Sequence, residues 1–164
     1  AQSLRVKERQ KVVFSGGHGA MGYSLPAAIG CYYASHGPVV SFNGDGGIQM
    51  TIQELGTIMQ ENLNVKIIVL NNNFLGMVRQ WQELFFNERY SNTIMKNPDF
   101  VAIAKAFGIA SRAVDKREDL DEAIAEMLNH DGAYMLVANV ETCGMVYPMV
   151  PAGGSVTNMI LGDK

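Results

Sequence analysis

Two short motifs carry most of the chemistry this sequence can offer. The β-branched run Val39-Val40-Ser41-Phe42-Asn43 leads into Gly44-Asp45-Gly46-Gly47, and the run from Val65 to Leu70 leads into Asn71-Asn72-Asn73, with Asn72 27 positions beyond Asp45. A carboxylate and an amide carbonyl are hard oxygen ligands. They suit magnesium, which prefers six oxygens and is often held by one or two protein groups together with substrate phosphates. The glycines beside Asp45 remove side-chain bulk, and a helix over residues 47–63 would turn its free N–H groups and positive dipole end toward phosphate oxygens. The pair therefore suits a magnesium ion holding a diphosphate. Turn formation is the plainer alternative, because Asp-Gly and Asn-Asn are common turn sequences.

A second glycine motif, Gly17-His18-Gly19-Ala20-Met21-Gly22, fits G-x-G-x-x-G. The dinucleotide reading wants the helix to begin inside the motif and an acid to end the next strand. Here Pro26 marks the first helical turn several residues late, and the acid is displaced to Asp45. The nicotinamide reading is weak, and close packing of strand on helix is the alternative use of these glycines. Gly22-Tyr23-Ser24-Leu25-Pro26 lacks the final glycine of a nucleophile elbow. His18, His36 and His130 show no metal-ligand spacing with Cys31 and Cys143, and no phosphate-binding G-x-x-x-x-G-K-[ST] loop is present. Ser/His/Asp hydrolysis and structural zinc are both disfavoured. His18 is either a phosphate contact or an exposed loop residue.

The elements that must position these motifs alternate in type. Strands are expected over residues 11–15, 39–43, 65–71, 110–114 and 134–140, and helices over 26–34, 51–62, 98–107 and 120–128. That alternation is the signature of parallel strands joined by crossover helices, hence an α/β fold with a parallel sheet covered by helices on both faces. VVSFN, VKIIVLN and YMLVANV are apolar at nearly every position and are expected to be central strands. In such a β-α-β unit Asp45 and Asn72 fall at the carboxyl ends of parallel strands, where open sheets place ligands. Residues 74–97, rich in aromatics, read as an irregular functional insertion, and residues 141–164 read as an extended arm or lid.

Composition bounds the remaining classes. The 164 residues carry 13 basic and 16 acidic side chains, a formal charge of −3, with 48% apolar residues and no basic block. This describes one globular domain large enough to bury a core without staples, and offers no electrostatic footprint for nucleic acid. No apolar run approaches the roughly 18 residues of a membrane span and no secretory signal is evident, so a cytoplasmic location without membrane partners is expected. Two distant cysteines make no disulfide framework. The opening Ala1-Gln2-Ser3-Leu4, without an initiator methionine, suggests a piece of something longer.

The stretch GDGGIQMTIQELGTIMQENLNVKIIVLNNN resembles the GDG-to-NN motif of thiamine-diphosphate enzymes. The flanking SGGHGAMGYSLPAAIG and LGMVRQWQELF, with YPMVPAGG near the end, are similar to the catalytic (large) subunit of acetolactate synthase, also called acetohydroxyacid synthase. The resemblance runs from Ser15 to Gly154. It implies the diphosphate-binding fold, with thiamine diphosphate and Mg2+ as cofactors. Asp45, Asn72 and the main-chain carbonyl of Phe74 would be the metal ligands. Gly44, Gly46 and Gly47 would approach the diphosphate. Gly19, Ala20 and Met21 would hold the aminopyrimidine, Met21 as an apolar wedge under a bent cofactor whose amino group reaches the thiazolium carbon. Leu75, Gly76 and Met77 would complete the cofactor contacts, and Met77 and Trp81 would border the substrate pocket, the indole being associated with acceptance of 2-oxobutyrate. Core filling by Met21 and Met77, and simple anchoring by Trp81, are the alternatives.

The implied activity is decarboxylation of pyruvate and transfer of its two-carbon unit to a second 2-oxo acid in branched-chain amino-acid biosynthesis. The implied partners are further catalytic subunits, as a homodimer or tetramer, and a regulatory small subunit. FAD, where the parent uses it, would bind mainly outside this chain. The family's activating glutamate, in a pyrimidine domain, and the first strand of the diphosphate domain would both precede Ala1. The chain is thus expected to be a C-terminal piece with no catalytic residue of its own, inactive alone, and exposing apolar surface at Trp81, Leu84, Phe85, Met145 and Met149 that favours self-association. Departures from the family pattern are His18 for leucine or glutamine, Ser24 for glycine, Thr51 for asparagine, Asn64 for proline and Ala152 for serine or proline. They leave substrate identity open to a related thiamine-dependent decarboxylase or carboligase; outside enzymes, the alternative is a non-catalytic interaction module.

Overall fold

The computed structural model describes residues 4–162. In chain order the elements are α1 (Ser24–Ser35), β1 (Val39–Gly44), α2 (Asp45–Gln49), α3 (Glu54–Gln60), β2 (Val65–Asn71), α4 (Gly76–Phe85), α5 (Phe100–Ala106), β3 (Ala110–Val114), α6 (Leu120–Asn129) and β4 (Tyr134–Asn139), with short 3-10 turns at Arg117–Asp119 and Val156–Asn158. They form two compact units, one drawn from Ala1–Asn71 and Asn97–Val140, the other from Asn72–Lys96 and Glu141–Lys164.

The first unit is a four-stranded, all-parallel sheet in the order β1-β2-β4-β3. Successive side chains of a strand point to opposite faces, so each strand feeds two layers. Val65, Ile67, Val69, Met135 and Val137 are buried against Leu25, Ala28 and Ile29 of α1, Ile48, Leu55, Ile58, and Phe100 and Ala104 of α5. On the opposite face Tyr134, Leu136 and Val114 pack on Ala123 and Met127 of α6. Helices on both faces are what the alternation of patterns predicts. Each fully buried aliphatic side chain, such as Leu25 or Ile67, contributes about 1.5–3 kcal/mol of transfer free energy.

Three expectations for this unit are corrected. Residues 11–15 form no strand: Val12, Val13 and Phe14 are exposed, and a β-branched run becomes a strand only where a neighbour pairs with its N–H and C=O groups. β1 is not central but lies at one edge of the sheet. Ser41 and Asn43 point to its covered side, whereas Val40 and Phe42 are exposed. The single helix expected after Asp45 is broken into α2 and α3. Between them the backbone tightens to i→i−3 bonding, Met50 N–H to Gly47 O at 3.1 Å, Thr51 N–H to Ile48 O at 3.2 Å and Glu54 N–H to Thr51 O at 3.0 Å.

The second unit corrects the two irregular readings. Residues 74–97 contain α4, a regular ten-residue helix. Phe74 bridges Ile94 antiparallel, and the N–H of Leu75 donates to Thr93 O at 2.9 Å, closing the segment on itself. The tail is no free arm. Gln80, buried on α4, donates from Nε2 to Val146 O at 2.9 Å and accepts from Val146 N–H at 2.8 Å, while Met149 and Ile160 pair across a bridge. Met149 is therefore buried, contrary to its place in the expected apolar patch. Trp81, Leu84 and Met145 are half-buried, while Met77, Val78 and Phe85 of α4 and Phe86 just past its end are exposed.

Candidate functional site

β1 and β2 run in register, Gly44 beside Leu70, so they end side by side. Asp45 follows Gly44 as the first residue of α2 and Asn71 ends β2, with Asn72 next in the chain. Asp45 is 2% exposed. An ionised carboxylate is costly to bury unless hydrogen-bonded. Its Oδ1 accepts the N–H of Gly46 at 2.9 Å and its Oδ2 accepts Asn97 Nδ2 at 2.6 Å. Gln49 Nε2 donates both to Asp45 O at 3.0 Å and to Asn97 Oδ1 at 2.9 Å. Gly46 is buried and Gly47 half-buried beside this carboxylate. α2 has only five residues, so the expected dipole of a long helix is absent here.

The two glycine motifs meet in this unit. Gly22 has φ +82°, and a Cβ there would lie 2.8 Å from Met50 Cβ and 3.0 Å from Thr51 Cγ2. A Cβ on Gly47 would lie 3.9 Å from the Gly22 nitrogen. Thr51 Oγ1 donates to Gly22 O at 2.8 Å. Ser15 holds the preceding loop, its carbonyl accepting Gly19 N–H at 2.9 Å and its Oγ accepting Ala20 N–H at 3.0 Å. Gly19 adopts φ +59°, and Met21, 48% exposed, projects from the loop rather than filling the core.

The other candidate residues belong to the second unit. Asn72 Oδ1 accepts the N–H of Phe74 at 3.1 Å, the side-chain turn that Asn favours. A Cβ on Gly76 would come within 3.3 Å of Asn72 Nδ2, so glycine there leaves room beside the amide. Met77 is 52% exposed, again not core filler. Trp81 stacks edge-on to Phe85 at 5.2 Å and lines an open recess of about 440 Å³ with Val78, Gln82, Phe86 and Arg89. Among the described residues no cluster of three or more His, Cys, Asp or Glu is placed to hold a metal.

Sequence reasoning missed the amides around Asp45. One residue past the last row paired across all four strands, Gly44–Leu70–Ala138–Val114, stand Asp45, Asn71, Asn139 and Asp115, of which Asn71 and Asn139 still pair. Asn97 Nδ2 donates to Asp45 Oδ2 and, at 2.7 Å, to Asn71 Oδ1. Asn71 Nδ2 donates to Asn139 Oδ1 at 2.7 Å, and Asn139 Nδ2 to Asp115 Oδ1 at 2.6 Å. The signal was an Asx residue closing each strand, and Asn97-Pro98-Asp99, which the sequence marks only as a turn and the N-cap of α5.

This is a parallel α/β layer with glycine turns and a buried carboxylate at the carboxyl edge of its sheet, and comparison places it in a known class. Residues 1–138 match the family model for the thiamine pyrophosphate enzyme C-terminal TPP binding domain, and the chain belongs to that family. It is 43% identical over 162 residues to the acetolactate synthase isozyme 2 large subunit of Escherichia coli K12, covering 98% of this chain and 30% of that protein. It is 45% identical over 165 residues to the mitochondrial acetolactate synthase of Schizosaccharomyces pombe (100% of this chain, 25% of that protein), and 44% identical over 173 residues to chloroplastic acetolactate synthase 2 of Zea mays (99% and 27%). The chain thus spans less than a third of the length of these curated relatives. Among solved structures it is similar to a thiamine diphosphate-dependent 4-hydroxybenzoylformate decarboxylase of Rhodococcus jostii RHA1, with TM-score 0.70 and 29% identity over 75% of this chain and 24% of that one. Among the described residues no helix is long and apolar enough to cross a membrane.

Proposed function

We propose that the chain is the cofactor-holding domain of an acetolactate synthase catalytic subunit, binding thiamine diphosphate through Mg2+. The observation that carries the reading is the buried Asp45 carboxylate, fixed between Gly46 N–H and the Asn97 amide beside two glycines. A hard oxygen donor with little side-chain bulk around it fits a magnesium-bound diphosphate. In this reading Asp45, Asn72 and the Phe74 carbonyl are the metal ligands, Gly44, Gly46 and Gly47 admit the diphosphate, and Gly19, Ala20 and Met21 contact the pyrimidine. Leu75, Gly76 and Met77 continue the cofactor contacts, with Met77 and Trp81 toward the 2-oxo acid. Bound thiamine diphosphate supplies the acidic thiazolium carbon on which pyruvate is decarboxylated, and the protein's part is to bind, orient and shield it.

The reaction, transfer of pyruvate's two-carbon unit to a second 2-oxo acid in branched-chain amino-acid biosynthesis, is supported by identity above 40% to three acetolactate synthases across nearly the whole chain. The name "large subunit" of the Escherichia coli relative supports a smaller partner subunit, and assembly as a homodimer or tetramer of catalytic subunits, with FAD where the parent uses it, belongs to the same reading. A cytoplasmic setting belongs to this reading, alongside relatives named mitochondrial and chloroplastic. The chain by itself is proposed not to turn over pyruvate. Likeness to the decarboxylase structure favours a second reading, a related thiamine-dependent decarboxylase, which substrate profiling of the complete protein would separate. Calorimetric titration with Mg2+ and thiamine diphosphate tests the cofactor reading: saturable heat in the wild type, lost in Asp45→Ala, is expected, and no heat at millimolar ligand would favour a bare interaction module.

A further inference from the structure

We infer that Asn97 is a positioning residue for Asp45, the keystone of an amide row that fixes the carboxylate from outside the α2 turn; the inference rests on the cofactor reading above. A carboxylate only accepts, so the Asn97 group facing Asp45 Oδ2 at 2.6 Å must be its NH2. The second proton of that NH2 goes to Asn71 Oδ1 at 2.7 Å, and Gln49 Nε2 closes on Asn97 Oδ1 at 2.9 Å. All three polar positions of the Asn97 amide are thereby engaged, which fixes its plane. Asn71 passes the polarity to Asn139, and Asn139 to Asp115, so acceptors at both ends orient every amide between them.

The row gains its rigidity from the strands. Asn71 and Asn139 are register partners on β2 and β4, so their side chains are set by the ladder and not by loop conformation. Asn97 joins that ladder to Asp45, whose own element is a five-residue helix with little intrinsic order. The Gly46 N–H that Asp45 Oδ1 accepts belongs to the same short turn as Asp45, so it does not tie the carboxylate to the sheet, as Asn97 does. Groups that orient a metal ligand commonly change metal affinity by about 10–100-fold when removed.

The test uses the whole chain, with Mn2+ plus thiamine diphosphate as probe, in the wild type, Asn97→Ala, Asn97→Asp and Asp45→Asn. Asn97→Asp keeps the size and removes the donor, and it carries the test if Asn97→Ala does not fold. Without ligand, either Asn97 variant should shift the Asp45 carboxyl carbon and Gly46 amide resonances while the core methyls of Leu25 and Met127 stay in place, a pattern that general loosening would not give. With ligand, affinity should fall about tenfold or more. Unmoved Asp45 and Gly46 resonances overturn the inference. So does binding within twofold of wild type where Asp45→Asn abolishes it, with the cofactor reading left standing. Equal binding in wild type and Asp45→Asn, or none in either, overturns the cofactor reading and with it any role of Asn97 toward a cation.

Discussion

Replacing Gly22 by alanine should cost far more than replacing Gly19, although both adopt positive φ, +82° and +59°. A left-handed conformation costs a non-glycine residue about 1–2 kcal/mol through its Cβ. Gly19 has nothing within 4 Å of the Cβ position, so Gly19→Ala should lose only that amount. At Gly22 the new methyl meets Met50 Cβ at 2.8 Å, which is bonded to the main chain, and Thr51 Cγ2 at 3.0 Å, whose rotation would break the Thr51 hydroxyl bond to Gly22 O. Overpacking of this kind adds about 1–3 kcal/mol, for a total near 2–5 kcal/mol. Urea unfolding of the two variants reads the difference directly, and in a chain of 164 residues each kcal/mol should lower Tm by about 2–4 °C. Equal midpoints for Gly19→Ala and Gly22→Ala would refute the claim that the glycine loop is clamped against the α2–α3 turn.

Gln80→Leu removes both bonds to Val146 and should cost about 1–2 kcal/mol, seen as faster hydrogen exchange at Val146 with little change in β2; unchanged exchange would mean that Gln80 does not hold the tail. Burial, and then the 2.7 Å bond donated to Glu126, push the Tyr134 hydroxyl up to about 12. The unfolded tyrosine ionises near 10.0 while the folded one stays protonated, so stability present below pH 10 should fall as pH rises toward 12. Tyr134→Phe should flatten that alkaline limb in pH-dependent denaturation, and an identical limb would contradict the assignment. Phe100→Ala, at a side chain 2% exposed, should cost about 3–5 kcal/mol by calorimetry, and a loss under 1 kcal/mol would show the α5 contact to be loose.

The sheet was legible where periodicity and burial agree. VKIIVLN and ASRAV match β2 and β3 residue for residue, and β4 ends at Asn139, one residue short of expectation. Local patterns mislead where tertiary pairing overrides them. KVVFS at residues 11–15 has strand propensity but no partner, and Val40 and Phe42 of VVSFN lie on its uncovered side because Val39, Ser41 and Asn43 turn inward. The amphipathic run at residues 51–62 hid the break at Thr51, whose hydroxyl turns to Gly22. At the candidate site Asp45 and its glycines were legible from residue type. Asn97 was not: its link to Asp45 spans 52 residues and depends on register, which a single sequence does not display.

Paramagnetic broadening by Mn2+ in the presence of thiamine diphosphate tests the cofactor assignment at the level of single residues. Broadening should appear first at Gly44–Gly47 and at Asn72–Phe74, vanish in Asp45→Asn, and spare the amides of α6. Broadening centred elsewhere, or none at saturating cofactor, would contradict the assignment of Asp45 as a cation ligand.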